Sequence, residues 1–237
     1  MKVLVVENYA ETGLGQIREV LDEAGAEIDR RSPYLGEALP MDASGHDALI
    51  VLGGGQNALD DGAYPYFPAL LDLIRDFEAR DRSVLGICLG SQLMARAFGG
   101  INQVGGATEF GWQTVTLTAD GQADPVAGSA PSAFSIFQWH DDTFGLPERA
   151  VRLAESAKAV NQAFRVGRAA YATQFHFEAD TKLVEQWTTL LASQIEANNP
   201  DWPERRPQEQ AVHGAEADAA GKSLARAWVG TIRPDRS

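Results

Sequence analysis

The apolar positions of the chain change rhythm along its length, and the rhythm predicts the elements. Residues 2–7, KVLVVE, form a short unbroken apolar run rich in valine, the pattern of a strand buried on both faces of a parallel sheet. Leu14, Ile17, Val20, Leu21 and Ala24 then recur at helical spacing and stop at Gly25, a residue suited to a helix C-cap. The alternation repeats. Ala48 to Leu52 is a second buried strand ending in Gly53-Gly54-Gly55, Phe67, Leu70, Leu71, Ile74 and Phe77 mark one face of the next helix, and Ser83 to Cys88 is a third strand. Strands alternating with helices predict an α/β fold with a doubly wound, mostly parallel sheet, whose ligands bind beyond the carboxyl ends of the strands.

After Gly99-Gly100 the texture changes. Trp112 to Thr118 and Phe134 to Trp139 read as strands separated by Gly, Asp, Ala and Pro rather than by helices, which predicts an inserted antiparallel section. Ala169 to Phe177 returns as a strand of the main sheet, followed by a helix with Leu183, Val184, Trp187, Leu190, Leu191 and Ile195 on one face. Residues 1–197 are expected to form one domain. Residues 198–237, opening on a stretch rich in Pro, Arg and Glu, are expected to be a C-terminal appendage, helical in part over Ala215 to Trp228, where Gly221 weakens the helix.

Composition narrows the function. The 237 residues are 44% apolar with a formal charge of −13, enough for one sizeable core and poor in the clustered cations that nucleic acid or an anionic membrane would need. No apolar run is long enough to span a bilayer, no leader-like segment opens the chain, and the single cysteine cannot pair internally; a cytoplasmic protein with a free thiol is expected. A lone cysteine is usually a small buried hydrophobe, but the setting of Cys88 changes that.

Gly86-Ile87-Cys88-Leu89-Gly90 lies where a strand must turn sharply into a helix carrying Leu93, Met94, Ala97 and Phe98. This is a nucleophile elbow with Cys in place of Ser, its glycines relieving the crowding of the turn. The helix N-terminus favours thiolate over thiol, and the amide of Leu89 can point at an oxyanion. Gln174-Phe175-His176-Phe177-Glu178 offers the partner: at the end of a strand, residues two apart share a side, so His176 can face Cys88 while Glu178 orients the imidazole. Gly53-Gly54-Gly55, on the same rim, brings a second backbone donor to the oxyanion. These glycines lack the spacing of a dinucleotide or phosphate loop. His46 and His213 stand apart without further cysteines, so no metal site is expected, and no cofactor. Asp60-Asp61 and Asp141-Asp142 are expected to serve turns and solvation.

Taken in order, GGG at 53–55, GICLGSQL at 86–93, EFGW at 109–112 and QFHFE at 174–178 resemble the motifs of class I glutamine amidotransferases, over roughly residues 1–195. The resemblance implies the flavodoxin-like sheet of that family, a Cys88, His176, Glu178 triad, an oxyanion hole near Gly54 or Gly55 and Leu89, and glutamine contacts at Gln92. It further implies a γ-glutamyl thioester on Cys88, release of ammonia and hydrolysis by water. The glutaminase part of GMP synthase is similar, down to its Trp-His-x-Asp-x-Phe stretch, matched here by Trp139-His140-Asp141-Asp142-Thr143-Phe144; that stretch either contacts substrate or a partner, or is a loop packed by Trp139 and Phe144. Two departures bear on substrate choice: no synthetase domain follows, and Gly55-Gln56-Asn57 and Phe177 replace residues common in the family. Three functions stay open at this point. They are a glutamine amidotransferase or glutaminase feeding a separate ammonia-accepting synthase, a γ-glutamyl peptidase or hydrolase acting on other γ-glutamyl amides, and an inactive binding protein. Self-association as a homodimer is open too.

Overall fold

The computed structural model describes residues 1–234. Strand β1 (Lys2–Val6), helix α1 (Gly15–Glu23), β2 (Glu27–Arg31), β3 (Ala48–Val51), α2 (Phe67–Ala79), β4 (Ser83–Ile87) and α3 (Leu89–Ala97) alternate through the first part of the chain. A small ladder of β5 (Asn102–Gln103) follows, paired with β8 (Thr143–Phe144). Between them lie β6 (Glu109–Leu117), the short α4 (Ala119–Ala123) and β7 (Ala133–His140); after them come β9 (Val151–Glu155), β10 (Ala163–Val166) and β11 (Ala170–Thr173). The chain closes with α5 (Thr181–Leu190), α6 (Ala192–Asn198), α7 (Trp202–Glu209) and α8 (Ala215–Val229).

One nine-stranded sheet runs β2-β1-β3-β4-β11-β10-β9-β6-β7. From β2 to β11 neighbours are parallel, and from β11 to β7 they are antiparallel. The antiparallel section expected as an insertion therefore extends the same sheet. Alternate residues of each central strand feed opposite layers: Val3, Val5, Ile50 and Leu52 pack with α1 and α8, whereas Leu4, Val6, Leu49 and Val51 pack with α2 and α3. That two-sided burial is why these strands read as unbroken apolar runs.

Several expectations need correction. The stretch between Thr118 and Phe134 holds α4, capped by the Thr118 hydroxyl, which accepts from the Gly121 amide at 2.9 Å. The helix expected to run through Ile195 breaks at Leu191 into α5 and α6, and Leu190 is 65% exposed instead of sharing the apolar face. The segment from residue 198 onwards packs as core, not as an appendage; its last three residues lie outside the described ones. Trp202 and Trp228 are fully buried in the same cluster as β1, β3 and β4, and losing either ring would cost about 3–5 kcal/mol. The Trp228 indole also donates to the Val84 carbonyl of β4 (3.2 Å), and Ser83 meets the Thr231 hydroxyl at 2.9 Å.

The helical tail is compatible with its prolines. Pro203 sits in the first turn of α7, where its missing N–H is not needed, and Pro207 is followed by a π-helical turn over residues 210–214 that leads into α8. Gly221, read as a weakness of α8, is instead required by packing. A Cβ there would lie 2.1 Å from Gln16 Nε2 and 2.4 Å from the Phe177 carbonyl oxygen.

Candidate active site

The turn from β4 into α3 stores strain at one residue. Cys88 has φ 52° and ψ −110°, a conformation that side chains avoid and that costs about 1–3 kcal/mol. Its surroundings hold it there. The Cys88 amide donates to the Thr173 carbonyl of β11 (2.8 Å), while the Cys88 carbonyl accepts from the amides of Ser91 and Gln92 and from the Ser91 hydroxyl. Gly86 and Gly90 make the turn sterically possible. A Cβ on Gly90 would lie 2.0 Å from the Val51 carbonyl oxygen, and one on Gly86 would lie 2.5 Å from both the Gly90 carbonyl oxygen and Met94 Sδ.

His176 and Glu178 stand past the end of β11, in a bend within which His176 makes an isolated antiparallel bridge to Phe137. The two-residue spacing still brings them together: His176 Nδ1 is 2.6 Å from Glu178 Oε1. Contacts from distant elements replace strand geometry. The His176 amide donates to the Phe137 carbonyl of β7 (2.9 Å), the His176 ring meets Trp187 edge-on at 5.2 Å, and the Gln16 side chain donates to the Phe177 carbonyl (2.7 Å). Gly15, at φ +45°, lets α1 abut the same bend, since a Cβ there would lie 1.9 Å from the Glu178 carbonyl oxygen.

Gly53 lies beside both side chains, a Cβ on it falling 3.5 Å from Cys88 Cβ and 3.3 Å from His176 Cε1. Cys88, His176 and Glu178 are 6%, 5% and 2% exposed. Burial by itself disfavours the imidazolium, but the carboxylate of Glu178 and then the sulfur of Cys88 outweigh it, so His176 is pushed up to about 10. His176 Nε2 has no hydrogen-bond partner among the described residues. The Cys88 thiol points at the Trp139 carbonyl, 3.6 Å away.

Cys88 and His176 open on a cavity of about 760 Å³ that Gly54, Gly55 and Gln92 also line. Leu89 begins α3, so its amide belongs to the free first turn of that helix. Gln92, at 3% exposure, donates to Gln174 Oε1 (3.3 Å). Cys88, His176, Gly54, Gly55 and Gln92 therefore gather on one cavity wall at the rim of the sheet, with Leu89 and Glu178 behind it. The 139–144 stretch does two jobs: Phe144 packs on Phe164, while Trp139, His140, Asp141 and Asp142 line the cavity, the His140 Nε2 lying 3.2 Å from Glu109 Oε2. Sequence reasoning did not find Tyr9, Glu11 or Trp187 on this wall. They come from separate elements, and nothing in their local patterns marks them. Among the described residues, no three His, Cys, Asp or Glu side chains gather in a way that could hold a metal ion, and no helix is long and apolar enough to cross a membrane.

Known proteins share this arrangement of sequence and fold. The family model for glutamine amidotransferase class-I matches residues 9–189. YfeJ of Salmonella typhimurium, itself named for its likeness to glutamine amidotransferases, is 33% identical over 188 residues, spanning 78% of this chain and 79% of its own. The glutamine-hydrolysing GMP synthase subunit of Natronomonas pharaonis is 29% identical over 75% of this chain and 88% of its own. The crystal structure of a glutamine amidotransferase from Thermotoga maritima superposes with a TM-score of 0.84 at 27% identity, covering 96% of this chain and 98% of that one. The structural match thus reaches beyond residue 189 into the helices that close the core. The family model alone spans well over half of the sequence, and the chain belongs to the class I glutamine amidotransferase family.

Proposed function

We propose that the chain is a cysteine-dependent amidohydrolase that cleaves the side-chain amide of L-glutamine and releases ammonia to an acceptor enzyme on a separate chain. The observation that carries this reading is the 2.6 Å contact between His176 Nδ1 and Glu178 Oε1, beside a cysteine held at φ 52° over the same cavity. In this mechanism the thiol proton of Cys88 rests on His176, and Sγ attacks the amide carbon as the thiolate. The amides of Leu89 and of Gly54 or Gly55 receive the oxyanion, and Gln92 contacts the substrate. Collapse breaks the C–N bond. His176 returns its proton to the departing nitrogen, leaving a γ-glutamyl thioester on Cys88, and then draws a proton from the water that hydrolyses it to glutamate. Glu178 fixes the imidazole tautomer and stabilises the imidazolium throughout. A relative named as a subunit of GMP synthase supports a separate acceptor, without naming it for this chain.

A second reading, a γ-glutamyl peptidase or hydrolase, uses the same thioester on another γ-glutamyl amide. The size of the cavity favours it, because about 760 Å³ lies within the roughly 300–1,000 Å³ that suits ligands larger than a free amino acid. The intact triad speaks against a binding protein that has lost its chemistry. Incubation with a diazo-ketone analogue of glutamine, followed by mass measurement of the Cys88 peptide, tests the proposal. An adduct that excess glutamine blocks is the expected result, and an unlabelled Cys88 overturns it.

A further inference from the structure

Apart from the imidazolium of His176 at the reacting end, the charged side chains on the wall of the cavity are acidic. Glu11, Asp141 and Asp142 line it, and among the described residues neither lysine nor arginine does. The Tyr34 phenol, also on the wall, is pushed up first by burial and then by the carboxylates of Glu7, which Arg30 pairs at 3.0 Å, Glu11 and Glu37. Asp142 has part of its charge engaged, its Oδ1 accepting from the Gly105 amide at 2.8 Å. The rings of Tyr9, Tyr34 and Trp139 stand among these acids. Carboxylates interleaved with aromatic faces attract an alkylammonium group and repel a carboxylate.

The position of the reacting amide is set independently. His176, 95% buried by its 5% exposure, lines the cavity with Nε2 unpartnered, beside the strained Cys88. A γ-glutamyl carbonyl placed there leaves most of the 760 Å³ for whatever is attached to the amide nitrogen. On the basis of the thioester chemistry proposed above, we infer that the preferred substrates are γ-glutamyl amides whose leaving amine carries a second, positively charged amino group, a γ-glutamylated diamine being the simplest. The Cys88 Sγ–C bond forms as the C–N bond breaks, and the thiol proton passes through His176 to the departing nitrogen. Water then splits the thioester, so the products are glutamate and the free diamine, with the thiol restored and no redox partner involved.

The test compares kcat/KM for the γ-glutamyl amide of 1,4-diaminobutane, its uncharged isostere γ-glutamylpentylamide, γ-glutamylglycine and glutamine. All four carry the same α-ammonium group, so the comparison isolates the leaving side. At low ionic strength the diamine compound is expected to exceed the pentylamide by about tenfold or more, with the ratio narrowing as salt is added. In Glu11→Gln/Asp141→Asn the ratio is expected to fall towards one. A ratio near one in the unaltered protein, faster cleavage of γ-glutamylglycine, or a ratio untouched by the double substitution overturns the inference. Glutamine turnover alongside such a ratio leaves the proposed function standing without it. Cleavage of the diamine compound but not of glutamine supports the inference and replaces the glutaminase reading; no cleavage of any of the four, with Cys88 unlabelled, removes both.

Discussion

Cys88 and His176 face one cavity, but the chain secures them by opposite means. The cysteine is fixed locally, by a buried strand, the helix that follows and two glycines within two residues of it. The histidine sits in a bend that its neighbours hold only in part, through bonds such as that from the Thr173 hydroxyl to the Phe175 carbonyl. Gln16 and Gly15 of α1, Phe137 of β7 and Gly221 of α8 keep it in place. One half of the site is thus a property of a short peptide and the other of the whole fold, so the two halves should fail differently when perturbed.

The largest expected effect falls on the local half. Cys88→Ala removes the attacking atom and should lower kcat on the order of 10⁴-fold or more, with an unchanged circular dichroism spectrum. Glu178→Gln comes next, at about 10²–10⁴-fold in kcat/KM, because the imidazole loses its orienting carboxylate. Its pH profile sharpens the comparison. His176 is raised from 6.5 to about 10, so the protonated ring that serves the leaving group is present below that value and lost above it. Removing the carboxylate should move the alkaline limb of the rate to lower pH.

Smaller effects probe the remote half. Gly221→Ala would gain about 1 kcal/mol from helix propensity alone, yet its Cβ meets the Phe177 carbonyl and Gln16. A displaced bend should cost about 10- to 100-fold in activity and lower the melting temperature, while Cys88 still reacts with iodoacetamide. A higher melting temperature with full activity would show that α8 does not brace His176. Gln16→Ala, which deletes one hydrogen bond to that bend, should cost about 1 kcal/mol of stability and a few-fold in rate.

The same contrast explains what could be read in advance. β1, β3 and β4 are buried on both faces, so their apolar runs announce them, and the elbow is spelled out in five consecutive residues. β2, with the sequence EIDRR, lies at the sheet edge and is largely solvated; β9 and β10 carry arginines that reach past the core. Backbone pairing, which composition does not display, makes all three strands. Gly221 looks like a helix breaker because its benefit, close approach to residues 16 and 177, exists only in three dimensions. The acidic wall is equally hidden, since Glu11 and Asp141 are far apart in sequence and gain meaning only when they face the same space.

The brace from α8 also sets an order in time. During synthesis the elbow and the His-Glu pair leave the ribosome before the helix that holds their bend does, and Trp228 cannot fill the core beside β4 until then. A growing chain therefore carries the Cys88 thiol for a period before His176 is fully held in place. Among the described residues, the bend that carries His176 and Glu178 is braced in full only once α8 has docked.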